Sequence, residues 1–236
     1  MTGAKPTCEA CPVRHQGMFC DLGREDLRDL GRSHTANTYS KRSIIFYEGN
    51  PAMGIFCVAS GKVKIYKHGI NGQIQIVRLA RPGDLLGYRA LLAGEPYSAT
   101  AEVIEEAVIC FLDKTMVLSL IRRNPPLSLR LLRKVAQELR VSEERMLDLV
   151  QKPVTHRVAT LLLALQQQFG ETSPRGIRLN ISLTREEMAE MIGTTAESLI
   201  RTLSEFRQRG LIELDAHEVR IKNPQLLATY APAAEG

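Results

Sequence analysis

Residues Ser182–Gly210 read SLTREEMAEMIGTTAESLIRTLSEFRQRG, and the fold turns on how that stretch is understood. Thr184 is a good N-cap, and Glu187 three residues on can close a capping box at the start of a short helix. Met188, Ala189 and Ile192 give that helix one apolar face. Gly193 stands where the chain must reverse, a position that favours a residue tolerant of positive φ. Thr194 or Thr195 restarts the chain as a second N-cap, with Glu197 supplying the box from Thr194. Leu199, Leu203 and Phe206 then recur at helical spacing and pack the second helix on the first. Ala196, Glu197, Ile200, Arg201, Ser204 and Gln208 are left on the outer face. A helix-turn-helix of this kind lays the N-terminal residues of its second helix against base edges in the major groove. There Glu197 can accept from cytosine N4, Arg201 can fork onto guanine O6 and N7, and Ile200 can touch a thymine methyl. An ordinary helical hairpin with a solvated charged face is the competing reading of so short a segment.

The flanks bear on that choice. After Gly210, LIELDAHEVRIKN sets two alternating apolar runs around a polar turn, the pattern of a β-hairpin wing. Upstream come a helix, THRVATLLLALQQQFG, a loop containing Pro174 and Gly176, and a strand, IRLNIS. Before these, Pro125 and Pro126 can open a helix whose apolar pattern runs without a breaker to Val150. Leu132, Val135, Leu139, Met146 and Leu149 fall on a 3-4 spacing, with Ser128 and Ser142 completing the register. Such a seam is intramolecular core or a two-stranded coiled coil, and its length favours the coiled coil. A homodimer is therefore expected, joined through Leu132, Val135, Leu139, Ser142, Met146 and Leu149. Pro153 disfavours helix at the residue before it and marks a hinge at Gln151–Pro153.

From Thr38 to Leu112 the pattern changes to short β-branched runs, SIIFYEG, GIFCVASG, KVKIYKHG, IQIVRLA, DLLGY, SATAEV and AVICFL. Glycine-containing breaks, Gly61 and Gly83 among them, separate the runs, which predicts an antiparallel barrel or roll. The expected class is α+β. Its parts are a cysteine-containing segment (1–22), a β-roll (23–124), a dimerisation helix (125–152) and a winged helix-turn-helix domain (153–236).

At 236 residues and a formal charge of +5, the chain permits nucleic-acid binding without requiring it. No apolar run approaches the ~20 residues that span a bilayer, and MTGAKPTCEA lacks a signal-peptide core. A cytoplasmic protein without a membrane partner is expected, so its five cysteines are read as metal-binding, redox-active or core residues rather than disulfides. Cys8 and Cys11 form a CxxC pair with Cys20 beyond it, a spacing that lets two thiolates face one iron–sulfur cluster or zinc ion. Cys57 reads as a core residue on a strand. His68 is the only histidine between Ile44 and Leu112, and no nucleophile motif is present. Both facts count against a cupin-like metalloenzyme fused to a DNA-binding module, and the protein is not expected to be an enzyme.

LTREEMAEMIGTTAESLIRTLSEFRQRGLI resembles the winged helix-turn-helix of the Crp/Fnr family of bacterial transcription regulators. The family's base-reading Glu-x-x-x-Arg pair matches Glu197 and Arg201. The resemblance implies a DNA-contacting set of Thr184, Thr195, Ala196, Glu197, Ile200 and Arg201. GKVKIY and RPGDLLGYRALLAGEPYSATAEV are similar to the family's cyclic-nucleotide-binding roll. Cyclic-AMP-binding members hold the phosphate with an Arg-Ser pair and the ribose with a glutamate. Here Tyr97-Ser98 and Tyr88 occupy those positions, so the resemblance implies no cyclic AMP, because a desolvated phosphate needs a cation or several donors.

GDLLGYRAL looks instead like the oxygen-responding Fnr branch, whose members hold a [4Fe-4S] cluster with three N-terminal cysteines and one at the end of the roll. The matching residues are Cys8, Cys11, Cys20 and Cys110. The eight residues between Cys11 and Cys20 exceed the branch's spacing, although loop closure grows costlier only slowly with length. The branch also carries a seam aspartate that opposes dimerisation. Ser142 stands there, and a hydroxyl is cheaper to bury than a carboxylate. The resemblance implies a homodimer that binds double-stranded DNA at an inverted repeat, engages RNA polymerase and is controlled by that cluster. Ala196 stands where cyclic-AMP-binding members place arginine, which points to a TTGA-type half-site. The alternatives are an organic ligand or haem in the roll, a thiol- or zinc-based redox sensor, and a constitutive architectural dimer.

Overall fold

The structure, a computed structural model, describes residues 8–215 and 218–231. The chain divides into two compact units, Met1–Arg140 and Val141–Gly236. In the first, helix α1 (Arg24–Ser33) leads into strands β1 (His34–Tyr39), β2 (Ile44–Phe46), β3 (Gly54–His68), β4 (Ile74–Ala80) and β5 (Leu85–Leu86). Helix α2 (Tyr88–Ala93), strand β6 (Thr100–Asp113) and helix α3 (Lys114–Arg123) follow. The strands form an antiparallel roll in the order β1-β6-β3-β4, with β2 added to β6 and β5 to β3.

Two pairs of runs that read as separate strands are continuous. GIFCVASG and KVKIYKHG are both β3, because Gly61 is a bulge rather than a turn. Its φ of +82°, with the register shifting between Ser60 and Lys62, lets the strand bend and continue. A Cβ at Gly61 would lie 2.4 Å from the Glu106 carbonyl oxygen, so the close approach of the partner strand also demands glycine. SATAEV and AVICFL are likewise one strand, β6. DLLGY continues directly into α2, flanked by the left-handed Gly87 and Gly94.

Alternate positions of these strands supply the core. Val58, Val63, Ala101, Val103, Ala107 and Ile109 are buried inside the roll. Leu27, Leu30, Leu112, Leu120, Leu127 and Leu131 form a second cluster beneath the helices. Of these, Leu127 and Leu131 belong to helix α4 (Pro125–Gln151), which begins at the proline pair as its sequence predicts.

The second unit opens with α5 (Val154–Phe169), capped by Pro153. Strands β7 (Gly170–Ser173) and β8 (Gly176–Leu179), helices α6 (Arg185–Ile192) and α7 (Ala196–Gln208), strands β9 (Ile212–Asp215) and β10 (Glu218–Ile221) and helix α8 (Pro224–Ala228) complete it. The strands pair antiparallel in the order β7-β8-β10-β9. β9 and β10 are the wing; its turn residues, Ala216 and His217, lie outside the described residues. β7 occupies the start of the stretch read as a loop, and the Ser173 hydroxyl donates to the Gly176 carbonyl at 2.7 Å to close the turn. The expected strand IRLNIS is shorter than its apolar pattern, since β8 ends at Leu179. Leu162, Met188, Leu199, Leu203 and Phe206 are almost completely buried and hold the helices together.

Candidate nucleic-acid interface and thiol cavity

The helix-turn-helix is built by local hydrogen bonds that its sequence encodes. The Thr184 hydroxyl accepts from the Glu187 amide at 3.1 Å, and the Glu187 carboxylate accepts from the Thr184 amide at 2.9 Å. Both helix-end donors are thereby satisfied. Gly193 adopts the left-handed conformation, φ 60° and ψ 53°, that reverses the chain. Arg157, on α5, donates to the carbonyls of Ile192 and Gly193 and pins the turn from outside the motif. No local signal announces that contact, because the arginine lies in a different helix.

The second cap is Thr195, not Thr194. The Thr195 hydroxyl accepts from the Ser198 amide at 3.2 Å and donates to the Ser198 hydroxyl at 3.1 Å. A box from Thr194 to Glu197 therefore does not form, and the Glu197 carboxylate stays out of the capping network. Leu199, Leu203 and Phe206 turn inward, as does Thr202, which bonds back to the Ser198 carbonyl at 3.0 Å. Glu197, Ile200 and Arg201 are exposed, Ala196 is half-buried, and Thr184 and Thr195 are exposed at the two helix starts. Glu197 and Arg201 make no ion pair among the described residues, so both heads are available to a ligand.

In the first unit, four thiols from three segments line one cavity of about 60 Å³. Cys8 and Cys11 come from the N-terminal segment, Cys57 from β3 and Cys110 from β6. Cys57 and Cys110 are direct partners in the β3–β6 register, so their side chains emerge side by side on one face. Burial, reinforced by neighbouring thiols, pushes Cys8 and Cys110 up to about 11, and burial likewise raises Cys57. Cys20 does not line this cavity. Its sulfur accepts from Arg130 Nη1 at 3.1 Å, and the same guanidinium holds the Met18 carbonyl at 2.8 Å and the Asp21 carboxylate. Three of the four cysteines singled out by sequence are thus together, and Cys57, read as plain core, joins them. Among the described residues, no three His, Cys, Asp or Glu side chains already converge to hold a single metal ion.

A smaller pocket of the roll, about 30 Å³, is lined by Phe46, Tyr88 and Tyr97 among others. The Tyr97 ring stacks on Phe46 with centroids 4.2 Å apart, and its hydroxyl donates to the Gly54 carbonyl at 2.8 Å. Tyr88 is buried beside Glu138 of α4. Burial works against the Glu138 carboxylate, but Arg78 at 2.7 Å, with Tyr88, Lys134 and Arg89, outweighs it and holds the group below the usual range.

Residues 36–124 match the model of the cyclic nucleotide-binding domain, and residues 156–230 match that of the Crp-like helix-turn-helix domain. The chain is 32% identical over 203 residues to the CRP-like cAMP-activated global transcriptional regulator of Mycobacterium tuberculosis, covering 86% of this chain and 87% of that one. The chain belongs to the Crp/Fnr family. As a Crp/Fnr protein it is a DNA-binding transcription regulator rather than an enzyme. Fnr-branch relatives include the transcriptional activator protein anr of Pseudomonas aeruginosa, 26% identical over 91% of this chain and 88% of that one. Among solved structures, FixK2 from Bradyrhizobium japonicum superposes with a TM-score of 0.76 at 27% identity, covering 85% of this chain and 98% of that one.

In this Crp/Fnr chain the long helix α4 leaves Leu132, Leu139 and Met146 about 60% or more exposed and Leu149 half-exposed, while Ser142 is exposed. Val135 differs: it is half-buried and packs on the cluster that holds Leu127 and Leu131. Among the described residues, no helix is long and apolar enough to cross a membrane.

Proposed function

We propose that this regulator acts as a homodimer on an inverted repeat of TTGA-type half-sites, controlled by a [4Fe-4S] cluster that reports oxygen or redox state. The observation that carries the DNA reading is the outer face of α7, where Glu197, Ile200 and Arg201 are exposed and unspent on internal contacts. Glu197 accepts from cytosine N4, Arg201 forks onto guanine and Ile200 meets a thymine methyl. Ala196 is too short to add a polar contact. Thr184 and Thr195 sit at helix starts, where aligned backbone amides suit phosphate oxygens. The exposed α4 residues Leu132, Leu139, Met146 and Leu149, with Ser142, form the dimer seam, and two-fold symmetry then sets half-sites about one helical turn, ~34 Å, apart. RNA polymerase is the expected downstream partner.

The sensor reading is supported by the cavity ringed by Cys8, Cys11, Cys57 and Cys110. Buried thiols ionise only beside positive charge, and iron supplies it. A mononuclear zinc ion needs four sulfurs about 2.3 Å from one point, whereas the thiolates of a cluster surround a larger group. Four thiols lining one cavity supply the number of sulfurs that a cluster takes. When bound, the cluster supplies an oxygen-labile link between the N-terminal segment and the roll. Arg130 fastens that same segment to α4 through Met18, Cys20 and Asp21, so release of the segment reaches the dimer helix directly.

Cyclic AMP does not fit this reading, although the Mycobacterium tuberculosis relative is described as cAMP-activated. The Tyr97 ring fills the space beside Phe46, and Arg78 is committed to Glu138. Protein purified without oxygen should contain iron and sulfide, absorb broadly in the visible, and prefer a TTGA inverted repeat over scrambled DNA in fluorescence anisotropy. Calorimetry should detect no saturable micromolar binding of cyclic AMP. Iron-free protein after anaerobic reconstitution would remove the cluster reading, and equal affinity for scrambled DNA would remove the half-site.

A further inference from the structure

We propose that Cys57, not Cys20, completes the thiolate set with Cys8, Cys11 and Cys110. The inference rests on the cluster reading above and assigns its fourth ligand. Cys57 faces Cys110 across neighbouring strands, where side chains of directly opposed residues lie within ~4.5–5.5 Å at Cβ. The roll thus presents two thiols on one rigid wall, in a register held by the ladder on both sides of the pair, from Gly54 opposite Asp113 to Val58 opposite Ile109. Cys8 and Cys11 supply the other wall from the N-terminal segment.

Cys20 is engaged elsewhere. Its sulfur accepts from Arg130, whose guanidinium also binds the Met18 carbonyl and the Asp21 carboxylate. Bringing Cys20 to the cavity would break this set of contacts with α4, whereas Cys57 needs no rearrangement to reach it. Cys20 is accordingly a fastener of the N-terminal segment to α4, and Cys57 a ligand. On loading, each of the four thiols releases one proton to solvent as its sulfur binds iron, with no change of oxidation state at sulfur.

The test uses the full chain, purified and reconstituted with iron and sulfide without oxygen. Iron and sulfide content and the visible spectrum are compared for wild type, Cys57→Ser, Cys57→Ala and Cys20→Ser. Wild type and Cys20→Ser should hold about four irons per chain, and both Cys57 variants should lose most of theirs. Because a Cys57 variant could lose iron by misfolding, the loaded wild type is also treated with iodoacetamide and mapped by mass spectrometry. Cys20 should be alkylated while Cys8, Cys11, Cys57 and Cys110 stay protected until the iron is chelated. Full iron in the Cys57 variants, or alkylation of Cys57 with protection of Cys20, overturns the assignment and leaves the cluster reading standing. A wild type with no iron overturns both.

Discussion

The recognition helix and the thiol cavity are assembled from opposite kinds of information. Every residue that shapes the exposed face of α7 lies within one short segment, and caps and periodicity order them. The cavity instead gathers cysteines from the N-terminal segment and two strands that meet only because β3 pairs with β6. A helical period tells which side chains share a face, since neighbours on that face are three or four residues apart. Nothing local tells which of five thiols share a cavity. Cys8 and Cys11 of the CxxC motif line the cavity together, whereas Cys20, which the family resemblance adds to them, meets Arg130.

The sharpest way to break this comparison is at the proposed dimer seam, which would serve both regions. Leu139→Glu puts a carboxylate into an interface that would have to desolvate it, at a cost of several kcal/mol. It should sediment as a monomer and bind the inverted repeat no better than a single half-site, with iron content per chain unchanged. A dimer of wild-type strength would mean that the interface lies elsewhere.

Phe206→Ala should come next. Phe206 is fully buried between the helices of the second unit, and such truncations cost ~3–5 kcal/mol. Calorimetry should show the second unit melting earlier while the visible spectrum of the loaded first unit persists. Simultaneous loss of the spectrum would contradict the division into separate units.

Arg201→Ala is expected to cost ~1–3 kcal/mol on the TTGA site and little on random DNA, read by anisotropy at fixed salt. Equal weakening on both would assign Arg201 to phosphate.

The smallest effect separates two adjacent threonines that local rules left equivalent. Thr195→Ala should lower stability by ~1 kcal/mol through loss of the α7 cap, whereas Thr194→Ala should leave denaturant midpoints nearly unchanged. The reverse order would show that α7 starts one residue earlier in solution.

Most of the architecture was legible because it rests on short-range signals. The Thr184 capping box, the Gly193 reversal and the apolar series Leu199, Leu203 and Phe206 are written within single helical turns. The proline pair that opens α4 and the alternation of β9 and β10 are equally local. The errors fall where a local signal has two tertiary outcomes. Gly61 looks like a turn, but partner-strand contact makes it a bulge that keeps β3 continuous. Asn223-Pro224 carried an N-terminal helix signal, cap then proline, that could have announced α8.

The chain's sequence by itself determined the helix-turn-helix, the identities of its outward residues and the presence of a thiol-rich N-terminal segment. Those features follow from dihedral preferences, capping hydrogen bonds and periodic burial, all of which act over a few residues. Only the tertiary structure decided that Tyr97 stacks on Phe46 inside the roll, that Arg157 pins the recognition turn, and that Cys57 rather than Cys20 stands beside Cys110. Each of those outcomes depends on strand register or on helix packing between residues distant along the chain, where the free energy is a sum over many contacts that no single stretch contains.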